Sequence, residues 1–443
     1  MLSLNQIMFE KKEILSWNRT FKSKANVFYP KNLKEIKKFI KKTKLENYNY
    51  IIKTGECSYD SKSINPNFKT HVLSLKNFHK ILNINLKKKF IIVQTGALIS
   101  NIVYELKNKG FTIFSIPGGQ KITLGGAISA NVIGKDSSSS AAAFGDAVME
   151  LLVLATDGST KKIRERQNIR KYIGAFGMSG LILQAKLRIK KIKSQNLIVK
   201  TNMLQNLNDV KKNLDSLNDY NYIQIDPFFR KSNFAIAFSA NFLKEKNNIY
   251  KAINFRSFFI EKFFFILSSY FINRFTWRFF YKLFFLINKK KMYKLDLHNY
   301  HYGSKYKHMV PLIAKQGLIE YEILIKEKFI LRINSIFNFL KKKHVFPMYI
   351  VLKKVYKSKN TYSYSFNDNG YALAISIDGK YIKNNIEKKL LDFLNKNNLK
   401  LNLSKTDSKL VGSFDKKNSL FMSCYKKKIS EYNKFDKKNN YRF

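Results

Sequence analysis

Glycine is concentrated in residues 115–160, a segment that reads SIPGGQKITLGGAISANVIGKDSSSSAAAFGDAVMELLVLATDGST. It contains Pro117-Gly118-Gly119, then residues 123–127 (TLGGA), then Gly134-Lys135. Because glycine has no Cβ, such a segment turns sharply or lies close to a ligand. The chain carries 82 Lys and Arg against 30 Asp and Glu, a net charge of +52. An anionic ligand such as a pyrophosphate is therefore the natural candidate for this segment.

A second turn-rich loop, residues 54–59 (TGECSY), directly follows the predicted strand YNYIIK. Backbone N–H groups in tight turns form nests that bind phosphate oxygens. Neither loop carries the GKS or GKT of a Walker A loop, and no GxGxxG opens a helix after the first strand. On its own, each loop is better interpreted as a structural turn.

Composition narrows the class of protein. With 443 residues, 45% of them hydrophobic, the chain can bury a large core and divide into two domains. The lysines are dispersed along the chain, and Lys, Asn, Ile and Phe are all in excess. This pattern indicates that the net positive charge reflects AT-rich codon usage more than a polyanion-binding function. Two cysteines, Cys57 and Cys424, exclude a disulfide framework and fit a reducing compartment. No metal site is expected, since the six histidines show no HExxH or paired spacing. The first residues lack the apolar core of a signal peptide, so a cytoplasmic location is expected.

The order of predicted elements indicates an α+β protein. Strands and helices alternate up to residue 192, with a helix from Asn32 whose apolar residues recur at helical spacing. From residue 193 to 403, strands such as LIEYEILI and GYALAISI suit an antiparallel sheet backed by helices. A polar segment, 404–443, follows.

An aromatic-rich insertion, residues 254–291, interrupts the second unit. Its longest uncharged run, from Phe263 to Asn273, is too short to span a bilayer, which takes about 20 residues. Arg274, Arg278 and Lys282 lie four residues apart among Phe and Trp side chains. Two interpretations stay open: a helix in a membrane interface, or a buried aromatic hairpin.

The order of these motifs resembles the FAD-binding half of the vanillyl-alcohol-oxidase/PCMH superfamily, and within it the decaprenylphosphoryl-β-D-ribose 2′-oxidase family. The matching segments are residues 57–60 (CSYD), 117–118 with 122–128 (PG, ITLGGAI), 133–136 (IGKD), 143–146 (AFGD), 317–322 (GLIEYE), 351–353 (VLK) and 404–409 (SKTDSK). The resemblance implies a two-subdomain PCMH-type FAD-binding domain in residues 1–192. It also implies an α+β substrate domain with an antiparallel sheet in 193–403, and a segment 404–443 that returns to the FAD domain.

The same resemblance assigns candidate residues. Those that would bind FAD are Lys53, Gly55, Cys57, Ser58, Tyr59, Pro117, Gly118, Gly119, Thr123, Leu124, Gly125, Gly126, Ala130, Asn131, Val132, Ile133, Gly134, Gly177 and Ile182. Those that would contact the substrate are Lys135, Glu322, Lys353 and Lys405. Lys405 and Tyr59 are the expected catalytic residues. Lys405 would stabilise the negative charge that develops on the reduced flavin.

Several positions depart from the family's pattern. Cys57 stands where the family has arginine, and Ile133 where it has histidine. Glu320 and Glu322 replace two glutamines, and Ala374 replaces a cysteine of some members. Because no histidine lies near either loop, the FAD is expected to be non-covalently bound. A carboxylate accepts hydrogen bonds but cannot donate them as an amide does, so Glu322 could change which sugar is accepted.

The expected activity is hydride transfer to flavin N5 from the 2-hydroxyl carbon of a polyprenyl-phosphate-linked pentose. This would be half of an epimerisation in cell-envelope polysaccharide synthesis, completed by a separate short-chain reductase. A protein that meets such a substrate is expected at the membrane surface, as a peripheral protein. The alternative is an aldonolactone or sugar-alcohol oxidase acting on a small soluble sugar. A non-catalytic nucleic-acid-binding protein is a remote alternative, opposed by the dispersed lysines and the absence of RNA-binding motifs.

Overall fold

A computed structural model describes most of the chain. The described residues are 7–19, 22–45, 50–59, 71–155, 158–177, 179–228, 234–243, 274–303, 317–359, 366, 368–379 and 386–402. They form three β-sheets with helices packed on them.

The first sheet has four strands in the order β1-β2-β4-β3. Its elements are β1 (Glu10–Leu15), β2 (Lys22–Phe28), α1 (Leu33–Leu45), β3 (Tyr50–Lys53) and β4 (His71–Ser74). Strand β4 runs parallel to both β2 and β3, a pairing that requires a crossover. Helix α1 supplies the connection between β2 and β3, and it packs Ile36 and Phe39 into the core, as their spacing predicts.

The second sheet has six strands in the order β5-β6-β10-β8-β9, with β7 also paired to β10. Its strands are β5 (Ile81–Asn85), β6 (Phe90–Gln94), β7 (Phe111–Ile113), β8 (Val148–Leu154), β9 (Thr160–Ile163) and β10 (Leu181–Lys191). Its helices are α2 (Ile99–Asn108), α3 (Leu124–Ala130) and α4 (Arg166–Ile169). Helix α2 ends at Asn108. Two residues later, Gly110 has a φ of 75°, in the left-handed region that glycine adopts readily.

The third sheet has eight strands in the order β14-β11-β13-β12-β16-β17-β15-β18, and every neighbouring pair is antiparallel. Its strands are β11 (Asn196–Leu204), β12 (Tyr220–Ile225), β13 (Ala235–Phe242), β14 (Lys290–Asp296), β15 (Leu318–Ile325), β16 (Pro347–Val355), β17 (Gly370–Asp378) and β18 (Lys400–Leu401). Its helices are α5 (Leu207–Leu214), α6 (Arg274–Ile287), α7 (Leu297–Tyr302), α8 (Arg332–Lys342) and α9 (Ile386–Lys396). The mixed α/β architecture with antiparallel sheets is the predicted fold class.

Side chains of each strand alternate between the two faces of the third sheet, so a shift of one residue along a strand would exchange the side chains of the two faces. Along β15, Ile319 and Tyr321 join the core under α5, α8 and α9. Glu320 and Glu322, between and beside them, therefore point to the opposite face. That face looks toward the first two sheets and also carries α6.

The boundary expected at residue 192 falls between β10, the last strand of the second sheet, and β11, the first strand of the third. One hydrophobic cluster nevertheless continues across it, from Leu187 and Ile189 to Leu197 and Val199. The division into two domains at this point stays a prediction.

The insertion 254–291 is described from residue 274 onward. It forms helix α6 as far as Ile287, but Lys290 and Lys291 belong to strand β14, where they pair with β11. The last two lysines of the insertion are thus the start of a strand and not part of the helix. This is the outcome of backbone pairing, which local composition does not reveal.

Candidate flavin and substrate site

A cavity of about 370 Å³ lies between the glycine-rich loops and the inward face of the third sheet. Its size falls in the range of small-molecule sites, about 300–1,000 Å³. The loop after β3 and the segment between β7 and α3 form one wall, and β15, β16 and β17 form the other.

The glycines of the first wall permit close backbone packing. A Cβ on Gly125 would lie 2.7 Å from Thr54 Cγ2, and one on Gly55 would lie 2.9 Å from Thr123 Cγ2. The Thr54 and Thr123 hydroxyls are also hydrogen-bonded at 2.8 Å. The two loops therefore touch each other, and side chains larger than hydrogen at these glycines would push them apart.

Gly134 is held in the most crowded of these positions. The Asp136 carboxylate accepts hydrogen bonds from the Ser115 and Ile116 backbone N–H groups and pairs with Lys190 Nζ at 2.9 Å. The Gly134 N–H donates to Ser115 Oγ at 2.8 Å. These bonds bring the Gly134 backbone against the residues that follow β7.

Replacing Gly134 with alanine should therefore disturb the wall itself. Its Cβ would lie 2.5 Å from the Ser115 carbonyl carbon and 2.6 Å from the Ile116 nitrogen, and backbone atoms cannot rotate away. We expect Gly134→Ala to lose about 1–3 kcal/mol of unfolding free energy, as overpacked sites do, and to bind FAD more weakly. Urea denaturation and FAD titration measure the two effects. Gly126→Ala is the control for the unfolding free energy, because its Cβ would meet a side-chain hydroxyl at 3.2 Å. Equal losses in the two variants would contradict the prediction.

Most of the residues expected to bind FAD line this one cavity. They are Lys53, Gly55, Cys57, Ser58, Tyr59, Pro117, Gly118, Gly119, Thr123, Gly126, Ala130, Val132, Ile133, Gly134 and Gly177. The segments 53–59, 117–134 and 177 are thus brought together from distant parts of the sequence.

Four other predicted cofactor residues are placed behind the wall. Leu124 is fully buried in the core, and Gly125 donates its N–H to the Thr95 carbonyl at 2.8 Å. Asn131 adopts a left-handed conformation that ends α3, and its side chain accepts from the Gly145 N–H at 2.9 Å. Ile182 offers its carbonyl to the Thr95 hydroxyl. These four support the wall, and a direct contact with FAD stays a prediction.

Burial changes the ionisation of Lys53, the last residue of β3, and of Cys57 in the loop that follows. Desolvation lowers the pKa of Lys53 from its ordinary value, although the nearby Glu56 carboxylate opposes the shift. Burial raises the pKa of Cys57 to about 12. Cys57 is therefore a thiol at neutral pH and not a nucleophilic thiolate.

The opposite wall presents a buried ion pair. Glu322 on β15 is 1% exposed, and its Oε1 lies 3.2 Å from Lys353 Nζ on β16. Lys353 Nζ also donates to the Ile133 carbonyl at 2.8 Å, which joins the sheet to the glycine-rich segment. The other Glu322 oxygen accepts from Asn402 Nδ2. Two predicted substrate residues, Glu322 and Lys353, are thus partners at the cavity wall.

A second buried carboxylate lies beside this pair. Glu320 Oε2 accepts hydrogen bonds from Ser376 Oγ at 3.1 Å and from the Tyr59 hydroxyl at 3.4 Å. Tyr59 packs against the Trp17 ring, with centroids 4.9 Å apart. The predicted catalytic tyrosine therefore bridges the loop after β3 and strand β15 on the opposite wall of the cavity.

Lys135, the remaining described substrate candidate, also lines the cavity. Its Nζ lies 4.0 Å from the centroid of the Tyr222 ring and 4.9 Å from that of Tyr300, a cation–π arrangement. The rings hold its ammonium between β12, an inner strand of the third sheet, and helix α7. Lys405 lies outside the described residues, so its role stays a prediction.

The structure adds site residues that the sequence predictions did not include. Glu320, Ser376, Asn402 and Trp17 all line the cavity. Glu320 was detectable in principle: it lies two residues from Glu322, so both share a face of any strand. No local signal marks the other three.

One comparison with known proteins identifies the first part of the chain. Residues 25–164 match a protein-family model described as an FAD binding domain. This part is an FAD-binding domain of the PCMH type. The match covers both glycine-containing loops and most of the first two sheets. A search of the curated proteins found no match.

The residues present fit this cofactor. The FAD-binding domain contributes glycine-rich backbone that leaves no room for a Cβ at several points, together with a partly buried lysine, Lys53, whose charge a pyrophosphate would neutralise. Proteins with this domain are typically FAD-dependent oxidoreductases, which is the coarse functional class of the chain.

We expect Lys53 to make FAD binding depend on pH. A bound pyrophosphate favours the charged ammonium, so affinity is highest where Lys53 is protonated and falls as pH rises through its lowered pKa. We expect Lys53→Met to weaken FAD binding at neutral pH by about tenfold and to remove this part of the pH dependence. Dissociation constants measured from neutral to alkaline pH test it, with exposed Lys121→Met as the control. Parallel pH profiles for wild type and Lys53→Met would count against the assignment.

Proposed function

We propose that the protein is an FAD-dependent oxidoreductase that oxidises a sugar hydroxyl to a ketone. The proposed substrate is the 2-hydroxyl of a polyprenyl-phosphate-linked pentose. The observation that carries the proposal is the polar wall of Glu320, Glu322 and Lys353, which faces the FAD-binding loops across one cavity.

The wall has the chemistry that a polyol requires. Carboxylates accept hydrogen bonds from hydroxyl groups, and an ammonium donates to hydroxyl or ring oxygens. Glu320 and Glu322 are both buried, which costs free energy unless their charges are paired or hydrogen-bonded. A functional role would account for carboxylates at such positions. On β17 the side chains facing the cavity are Ala372, Ala374 and Ser376, which are small enough to leave room for a ring.

FAD, when bound, accepts the hydride removed from the carbinol carbon. The hydroxyl proton must leave in the same reaction, and Glu320 is positioned to accept it, with Tyr59 and Ser376 fixing its carboxylate. Lys353 and Glu322 position the neighbouring oxygens of the sugar. Lys405 keeps its proposed role of stabilising negative charge as it develops.

The 2-ketone would then be reduced with the opposite stereochemistry by a separate short-chain reductase, completing an epimerisation in cell-envelope polysaccharide synthesis. Supporting this substrate is the matched order of motifs from residue 57 to residue 409. The rival is oxidation of a soluble aldonolactone or sugar alcohol, whose hydroxyls the same polar wall would also accept.

Anaerobic flavin reduction separates the two substrates. The FAD-loaded protein is mixed with a polyprenylphosphoryl pentose, a free aldonolactone or an alditol, and loss of the visible flavin absorbance is followed. The proposal expects bleaching by the lipid-linked pentose and not by the free compounds. Bleaching by the aldonolactone or alditol alone would replace it with the rival. Release of FAD on acid precipitation tests whether the cofactor is non-covalent.

A further inference from the structure

Helix α6 (Arg274–Ile287) is apolar on two opposite faces. Its inner face buries Trp277, Tyr281 and Phe285 against the third sheet. Trp277 Nε1 donates to the Met348 carbonyl at 3.0 Å, and Gln224 Nε2 donates to the Tyr281 hydroxyl at 3.1 Å. These bonds fix the rotation of the helix, and thereby which side chains face outward.

The outer face exposes a row of large apolar side chains. They are Phe279 (64% exposed), Phe280 (41%), Leu283 (42%), Leu286 (69%) and Ile287 (48%). Spacings of three and four residues put them side by side on one face. A contiguous exposed apolar patch of this kind marks an interaction site.

The charges around this face are of one sign. Arg278 and Lys282 are exposed along one border of it, four residues apart, and residues 289–291 (KKK) are exposed just beyond its end. The sequence from Arg274 to Leu295 contains no acidic residue. The complementary surface must therefore be apolar at its centre and anionic at its edge.

We propose that the outer face of α6 docks on an anionic lipid bilayer, with the helix lying in the interface. The apolar side chains would enter the boundary between headgroups and acyl chains, and the basic side chains would pair with anionic headgroups. Among the described residues no helix is long and apolar enough to cross a membrane.

The position of α6 gives this docking a consequence for the cavity. Trp17, Tyr222, Leu318 and Tyr349 line the cavity and also belong to the cluster in which Trp277 and Tyr281 pack. Docking would bring the substrate side of the cavity close to the lipid surface. The inference stands on the exposed face of α6 and holds whichever sugar the site oxidises.

Vesicle co-sedimentation of the FAD-loaded full chain tests the proposal. Vesicles contain equal parts of phosphatidylglycerol and phosphatidylcholine, or phosphatidylcholine alone. One variant combines Phe279→Ser, Leu283→Ser and Leu286→Ser. A second combines Arg278→Gln and Lys282→Gln.

Two matched controls distinguish binding through the outer face of α6 from binding caused by the overall charge and apolar surface of the chain, whose net charge is +52. Leu217→Ser with Leu331→Ser removes comparably exposed apolar side chains elsewhere. Lys341→Gln with Lys342→Gln removes the same number of positive charges, but from α8, which packs on the opposite face of the third sheet. All of these positions are exposed, and flavin absorbance with circular dichroism checks that each variant is folded.

The proposal expects binding to the anionic vesicles and much weaker binding to the neutral ones. Each α6 variant should lower the partition coefficient by about tenfold or more, and each control by less than about threefold. Equal losses in the two charge variants would assign the binding to overall charge and overturn the proposal. So would undiminished binding of the apolar variant. Self-association of the wild type that the apolar variant abolishes, without vesicle binding, would make the face a dimer interface instead.

Discussion

Replacing Lys353 with methionine should lower the free energy of unfolding by about 3 kcal/mol, because it leaves the Glu322 carboxylate buried without its cation. Glu322 is 1% exposed, so its carboxylate is largely removed from solvent and depends on the ammonium for its charge partner. The substitution also removes the hydrogen bond from Lys353 to the Ile133 carbonyl, which joins the sheet to the glycine-rich segment. Urea denaturation of the cofactor-free protein measures the loss.

Two further variants show whether the loss comes from an unpaired charge. Adding Glu322→Gln to Lys353→Met should recover most of the stability, since the buried carboxylate is then gone. Lys354→Met, on the same strand, breaks a more exposed pair with Asp215 and should cost about 1 kcal/mol or less. A Lys353→Met loss no larger than that of Lys354→Met, or no recovery in the double variant, would contradict the account of this pair.

Glu320→Gln should slow flavin reduction by the sugar by about 10²–10³-fold, because an amide cannot accept the hydroxyl proton as a carboxylate can. The amide has the same shape, so FAD affinity and the unfolding free energy should change little. Stopped-flow absorbance under anaerobic conditions measures the rate with whichever sugar reduces the wild type. Glu320→Asp keeps a carboxylate and should recover part of the rate.

Variants at the two partners of Glu320 distinguish proton transfer from simple packing. Tyr59→Phe and Ser376→Ala each remove one hydrogen bond to the carboxylate and should slow reduction by about tenfold. Glu322→Gln should instead change the preference among sugars. If Glu320→Gln reduces its flavin at nearly the wild-type rate, Glu320 is not the proton acceptor.

The FAD-binding half could be predicted from sequence because its markers are local. Gly55 and Gly125 occur where a Cβ would press on the threonine of the other loop, and Gly134 occurs where a Cβ would press on backbone atoms. Their order along the chain is therefore as informative as their number. The helical spacing of Ile36 and Phe39 was readable for the same reason.

The polar wall of Glu320, Glu322 and Lys353 could be predicted only in part, since its contacts join residues far apart in sequence. Glu320 meets Tyr59 across 261 positions, and Lys353 meets the Ile133 carbonyl across 220. No periodicity or composition reports such a contact. Resemblance supplied Glu322 and Lys353 one at a time, but their pairing is a property of the register between β15, β17 and β16.

The aromatic-rich helix shows a third kind of limit. Helix α6 itself is rich in Phe, Trp and Tyr, so its composition fitted both a buried hairpin and an interfacial helix. The structure resolves its described part into two faces, one buried through Trp277 and Phe285 and one exposed through Phe279 and Leu286. Which face turns inward depends on the sheet beneath it.

The central claim is that this cavity brings a sugar hydroxyl to an FAD and oxidises it. The most direct test is a single turnover without oxygen, in which FAD-loaded protein is mixed with the polyprenylphosphoryl pentose and the sugar is analysed by mass spectrometry. The account predicts that the flavin bleaches and that an equal amount of sugar loses two hydrogen atoms as a 2-ketone. A protein that binds FAD in this cavity but leaves every sugar unchanged and its flavin oxidised would contradict it.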